Sequence, residues 1–280
     1  MVDEPSPRSR AARDAAENAL ARVVRHYGGR PEFVVLGGLV PELLCAGSEF
    51  NHAGTTDIDV QVDLEIACGA VNAARLEKAL RNAGFEPEDP AIWRWVADGT
   101  AGAPIVKFEL LADLHDQPAE ATIAFETCDQ LGAVNLRGTR FAARDFEIRT
   151  FGLRNGGAEH ATEVNVSGLA GFPLAKTAAS FSRRKPRDWH DMAFALPHND
   201  SGGTTAAIAS ARERFIGEMA ALQTALDDLQ ANFQDSYARG SRAYVTQMRI
   251  DHPELNPEML AADAVIAVEE FCRGVRNSAN

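Results

Sequence analysis

The chain has 280 residues, 45% of them hydrophobic and 24% charged, and a formal net charge of -12. That composition suits a globular protein with material for one large domain or two modest ones. It excludes a surface that is basic all over, the usual balance of a nucleic-acid-binding protein. No apolar run is long enough to span a bilayer, and the opening "MVDEPSPRSRAARD" lacks the apolar stretch of a signal peptide. A cytoplasmic protein with no membrane partner is expected. Cys45, Cys68, Cys128 and Cys272 stand apart, with no CxxC pair and no histidine at zinc-ligand spacing. They read as reduced thiols.

Residues 9–27 place Ala16, Leu20, Val23, Val24 and Tyr27 on one face and predict a helix, which Gly28, Gly29 and Pro31 stop. "FVVLGG" (33–38) is a short buried strand running into a glycine pair, and "LVPELLCAG" is a short helix. After the loop "SEFNHAG" comes an acidic strand over 56–64. Asp57, Asp59 and Asp63 alternate there with Ile58, Val60 and Val62, the period of a strand, although aspartate is a poor strand former. "CGAVNAARLEKALRNAG" is a second amphipathic helix using Val71, Ala74, Leu76 and Leu80. "PIVKFELLAD" supplies a strand over 105–111, and 120–169 read as short strand-like runs separated by glycine and asparagine.

From about Gly171 the pattern turns helical. "FPLAKTAASFSRR" carries Pro173 near a helix start, Pro186 opens "PRDWHDMAFAL", and "HNDSGGTT" is a loop. Phe215, Met219, Leu222, Leu226, Leu229 and Phe233 recur at spacings of four and three. This seam predicts one long helix packed on its neighbours or on a dimer partner. "NPEMLAADAVIAVEEFCRGV" is a further helix, with Asn256 as N-cap and Pro257 at the first helical position. The expected fold is α+β: a core with a mixed β-sheet over 1–170, then an α-helical part over 171–280. Arg137, Arg140, Arg144, Arg149 and Arg154 fall in one segment, and Arg183, Arg184, Lys185 and Arg187 in another. Each is either a solvated face or a local basic groove.

Phosphate-loop, dinucleotide, zinc-protease and nucleophile-elbow motifs are absent. What is present is a strand, Gly37-Gly38, a helix, and then Asp57-x-Asp59 on the next strand. A glycine pair ahead of a helix lets backbone N–H groups approach a phosphate. Residues two apart on a strand share a face at about 6.6 Å. Carboxylates so placed repel one another, and a divalent cation holds both ionised. Magnesium prefers such oxygen ligands and completes its shell with substrate phosphates and water. Two such ions suit in-line displacement at a nucleoside triphosphate.

The order "VVLGG" then "TDIDV" resembles the hG[GS]…Dh[DE]h motif of the nucleotidyltransferase superfamily with a DNA-polymerase-β-like core. That superfamily takes a third carboxylate from a neighbouring strand, for which Glu109 is the candidate and Asp113 the reserve. "LAKTAASFSRRKPRDWHDMAFAL" resembles the "K…R.K.RD..D" segment of AbiEii-type nucleotidyltransferases, toxins of bacterial toxin–antitoxin and phage-abortive systems. The mycobacterial toxins that modify tRNA belong to the same group. Lys176, Arg183, Lys185, Arg187, Asp188 and Asp191 match its polar positions, and Lys176, Ser180 and Arg183 share one helix stripe.

The resemblance covers roughly residues 30–196. It implies a nucleotidyltransferase-fold enzyme that moves a nucleotide from an NTP to an acceptor, RNA and in particular the 3′ end of tRNA. It implies Mg2+ or Mn2+ on Asp57, Asp59 and Glu109, with Lys176 and Asp191 as further catalytic residues. Gly37, Gly38, Lys176, Arg183 and Arg187 would contact the nucleotide, and a cognate antitoxin would be a partner. Transfer to a small molecule or a protein, and a non-catalytic binding module, are the alternatives. Asp188 stands as an alternative to Asp191.

Overall fold

The computed structural model describes residues 10–62, 73–97, 104–155 and 158–276. Asp63, Cys68 and Val71 lie outside these, as does the side chain of Arg154. Among the described residues, nine strands form one mixed, open sheet. Strand β1 (Val34–Leu36) runs antiparallel to β2 (Asp57–Gln61) on one side and parallel to β9 (Ala158–Ser167) on the other. A long antiparallel pairing with β8 (Phe146–Asn155) completes that flank.

Beyond β2 lies β5 (Val106–Ala112), parallel to it, followed by β4 (Ala91–Ala97) and β3 (Glu86–Glu88), both antiparallel to their neighbours. The end of β5 also pairs with β7 (Gly132–Asn135), which carries β6 (Thr122–Ala124) beside it. β3 and β4 fill a stretch for which the sequence predicted no element.

The helices follow from their apolar stripes. α1 (Arg10–Tyr27) buries Ala16, Leu20, Val23, Val24 and Tyr27 and packs on α3 (Ala73–Asn82). A 3-10 turn, Gly37–Leu39, leads into α2 (Val40–Leu44). α4 (Arg140–Arg144) forms where the pattern predicted extended chain. Its cause is long-range: the buried carboxylate of Asp113 accepts the N–H groups of Gly138 at 2.7 Å and Arg140 at 3.4 Å, and Gly138 takes a φ of 87°.

After β9 come α5 (Gly171–Arg183), α6 (Pro186–His198), α7 (Gly203–Phe215), α8 (Gln223–Asn232), α9 (Arg239–Asp251) and α10 (Pro257–Arg276). The cap of α10 is as expected: Asn256 Oδ1 accepts the N–H of Glu258 at 2.8 Å and of Met259 at 3.2 Å. The predicted long helix is broken. α7 stops at Phe215, a 3-10 segment runs over Ile216–Leu222, and α8 resumes. All six seam residues are nevertheless buried within the chain. Gly217 weakens the α-helix at the break, and in a 3-10 turn Met219 and Leu222, three apart, eclipse one another on the buried side. The sheet side chains and the helical part share one continuous apolar core.

Asp145 joins the two parts. Its carboxylate, 3% exposed, accepts the N–H groups of Ala170 at 2.8 Å and Gly171 at 2.7 Å, closing the start of α5. Arg214 Nε of α7 sits 3.0 Å from the other oxygen. Replacing Asp145 by Ala should therefore cost about 2–3 kcal/mol, since it removes a cap and leaves buried donors unpaired. Urea unfolding of Asp145→Ala would show it as a lower midpoint; an unchanged midpoint would mean the joint is not held there.

Candidate active site

Ile58 and Val60 of β2 are fully buried, and this fixes which face of the strand carries Asp57 and Asp59. The parallel register of β2 with β5 places Asp59 directly opposite Glu109, and the antiparallel register of β5 with β4 places Glu109 opposite Arg94. Residues directly opposite on paired strands point to the same face, so Asp59, Glu109 and Arg94 form a row across three strands, with Asp57 one step along. Arg94 Nε donates to Glu109 Oε1 at 2.8 Å, and its Nη1 to Glu88 Oε2 at 3.0 Å. Arg187, from α6, donates to Asp57 Oδ2 at 2.8 Å.

The first glycine of the pair is dictated by this geometry. Gly37 has a φ of 80°, and a Cβ built on it would lie 1.9 Å from Asp59 Oδ2. Leu36 pairs with Asp59, so the turn after β1 runs directly under that carboxylate. Only glycine fits there. Gly38 is close-packed too, its Cβ position 3.0 Å from Thr55.

Asp59 neighbours both of the other acids of the row. Burial, and then the charges of Glu109 and Asp57, push its carboxyl up to about 7, against the opposing pull of Arg187 and Arg183. The donor set is all oxygen, as Mg2+ and Mn2+ prefer, and a carboxyl so raised marks a deficit of positive charge that a divalent cation would fill. Asp113 does not join the row. It lies past the end of β5 and spends its carboxylate on the Gly138 turn. Ser180 donates to the Thr177 carbonyl within its own helix.

Gly37, Asp59, Lys176, Arg183 and Arg137 line one narrow cavity of about 30 Å³, room for a water or a bare cation rather than a nucleotide. Lys176 is buried, and its Nζ donates to Asp188 Oδ1 at 3.0 Å and to Asp191 Oδ2 at 2.7 Å. Arg183 also reaches Asp188 Oδ1, at 3.0 Å. The shared helix stripe thus exists, but its two cations engage α6. Of the other arginines, Arg137 holds the carbonyls of Leu114, His115 and Gln117, while Arg140 and Arg144 engage Glu218. Arg149 pairs with Glu147, and Arg184 with Asp228.

A second polar cluster adjoins the first. Asp191 Oδ1 lies 3.0 Å from His52 Nε2 and 3.4 Å from His190 Nδ1. His52, His190 and Asp191 form a buried group that could hold a metal ion. Sequence spacing gave no sign of it, because His52 and Asp191 are 139 positions apart. Arg94 was missed for the same reason; its role arises from strand pairing alone. Cys45, Cys128 and Cys272 are free thiols that burial raises to about 12, 11 and 12, so the reactive thiolate is disfavoured at neutral pH.

No family model, no curated protein and no solved structure matches the chain.

The raised carboxyl of Asp59 has a thermodynamic sign. The folded state holds this proton more tightly than the unfolded chain, whose Asp titrates near ~3.9, so its contribution to stability is present at acid pH and fades as pH rises through about 7. With chelator at pH 8, Asp59→Asn should melt about 2 °C or more above the wild type, and the gap should narrow by pH 5. A variant that melts lower at pH 8 would contradict this reading of the acidic row.

Proposed function

We propose that the protein is a metal-dependent nucleotidyltransferase, moving a nucleotide from an NTP to an acceptor hydroxyl with loss of pyrophosphate. The observation that supports this most is the gathering of Asp57, Asp59 and Glu109 on one sheet face over the Gly37 turn, beside Lys176 and Arg183. A structural role for three clustered acids is disfavoured by burial and then by their mutual repulsion, which together leave Asp59 reluctant to ionise. Magnesium or manganese, held by Asp57, Asp59 and Glu109, would supply the positive charge that draws triphosphate and acceptor oxygen together.

The chain's own residues then have distinct tasks. The acceptor oxygen attacks the α-phosphorus, the bond to the β-phosphate oxygen breaks, and pyrophosphate leaves with that electron pair. The acceptor's proton passes to Glu109, whose Oε1 is oriented by Arg94. Arg187 neutralises Asp57 in the resting protein. Once Asp57 is engaged elsewhere, this guanidinium turns to a phosphate oxygen, a geometry it binds well. Lys176 holds Asp191 and Asp188 in place and adds positive potential to the cavity wall.

The resemblance to AbiEii-type toxins carries the reading further. It supports RNA as acceptor, the 3′ end of tRNA first, growth inhibition as the outcome, and a cognate antitoxin as partner. Arg137 and Arg183, which line the cavity of Asp59, are the groups a phosphate backbone would meet first.

The test incubates purified protein with total tRNA, magnesium and each α-labelled NTP, beside Asp57→Ala and Glu109→Gln. Wild type should label RNA, and both variants should lose activity by on the order of 100-fold or more. RNA binding should weaken steeply with salt, and a salt-insensitive Kd would remove RNA as the acceptor. Magnesium-dependent NTP binding without labelled RNA would move the acceptor to a small molecule or a protein. Absence of both NTP binding and transfer would overturn the enzyme reading.

A further inference from the structure

His52, His190 and Asp191 come from two distant parts of the chain and converge where solvent is excluded: they are 5%, 2% and 0% exposed. His52 lies in the loop ahead of β2, and His190 and Asp191 in the first half of α6. Each presents one donor atom, and the three atoms lie within 4.8 Å of one another. We propose that they form a metal site for a nitrogen-preferring transition ion of the zinc class, separate from the all-oxygen row of Asp57, Asp59 and Glu109.

Geometry and donor chemistry argue together. Bonds of ~2.0 Å in a tetrahedral site put neighbouring ligand atoms about 3.3 Å apart. Asp191 Oδ1 lies 3.0 Å from His52 Nε2 and 3.4 Å from His190 Nδ1, so two edges of such a polyhedron are already in place. The third edge, between the two imidazole nitrogens, is no longer than 4.8 Å, and the ring centres are 4.9 Å apart with a 35° tilt. Two imidazoles and one carboxylate suit zinc, cobalt or nickel, whereas magnesium prefers oxygen alone.

The surroundings are those of a metal site as well. Asp191 Oδ2, the oxygen turned away from the histidines, accepts a 2.7 Å hydrogen bond from Lys176, the outer contact that orients a ligating carboxylate. Phe194 packs edge-on to His52, and the Tyr244 ring stacks on His190, an apolar shell that fixes both rings. The backbone N–H of His52 is held by Glu42. A bound ion would clip the loop that precedes β2 to α6, the helix that also delivers Arg187 to Asp57. It would keep the helical part in register with the acidic strand, with a water or another ligand completing the fourth position.

The experiment strips the full-length protein with chelator and titrates Zn2+ and then Co2+, reading metal content, the visible absorption of bound Co2+ and the melting temperature. One equivalent of Zn2+ should bind, raise Tm and survive millimolar Mg2+. His52→Gln and His190→Gln should each weaken binding on the order of 100-fold, and Asp57→Ala should leave it unchanged. Because either histidine variant could unfold, far-UV circular dichroism accompanies each, and the wild-type titration alone decides if neither folds. Absence of stoichiometric Zn2+ or Co2+ on folded wild type would overturn the site, reducing the three residues to a hydrogen-bonded network. So would binding that persists in both folded histidine variants, or that Asp57→Ala abolishes. None of these readouts involves nucleotidyl transfer, so its failure would leave this site standing, and the converse holds.

Discussion

Parallel pairing of β2 with β5, with Asp59 set against Glu109, puts two carboxylates side by side where burial makes charge expensive. Much of the neighbouring structure answers that strain. Gly37 passes beneath Asp59 because any side chain there would collide with its oxygen. Arg94 is delivered by the next strand to Glu109, and Arg187 by a helix to Asp57. Ile58 and Val60, buried on the opposite face, lock the register; a slip of one residue would turn the acids into the core. The acids therefore cannot drift from one another, and the repulsion between them is a fixed property of the fold.

Helix α6 distributes the compensation. Arg187, Asp188, His190 and Asp191 occupy little more than its first turn, yet Arg187 reaches Asp57, Asp188 the Lys176–Arg183 pair, His190 the ring of His52, and Asp191 both His52 and Lys176. Pro186 starts the helix at a defined point after the left-handed turn of Arg184, which sets the rotation of those side chains. Buried ionic groups are seldom a net source of stability compared with apolar packing of the same shape. Their worth here is positional. The helical part can sit on the sheet in only one orientation if Arg187 is to meet Asp57 while Asp191 meets both Lys176 and His52.

What was legible in the sequence was what depends on neighbours along the chain. The alternation around Asp57 named the strand and its face, Glu109 was named from the strand that turned out to pair with β2, and Asn256 marked the start of α10. The seam from Phe215 to Phe233 named six buried residues, although the helix it predicted is interrupted at Gly217. What was not legible depends on pairing across distance. Arg94 gains meaning only from its register with Glu109, His52 only from α6, and α4 only from a carboxylate more than twenty positions upstream. Lys176 was legible as a helix-stripe cation, but its pairing with Asp188 and Asp191 was not, since that contact requires α5 and α6 to fold back on one another.

The acidity of the chain as a whole bears on how a polyanion would reach the acidic row. With a formal charge of -12, attraction has to be local. Arg140 and Arg144 are already spent on Glu218, and Arg184 on Asp228. Arg137 is held chiefly by backbone carbonyls and pairs with Asp113 at 3.6 Å, yet it still lines the cavity wall. Arg187 differs, because its partner is itself an acid of the row. The positive potential beside Asp59 is thus concentrated in a few groups that are placed by the fold rather than spread over the surface, and it extends only about a Debye length, ~8 Å at physiological salt. A substrate would be recognised at the site itself, after contact, rather than steered to it from afar.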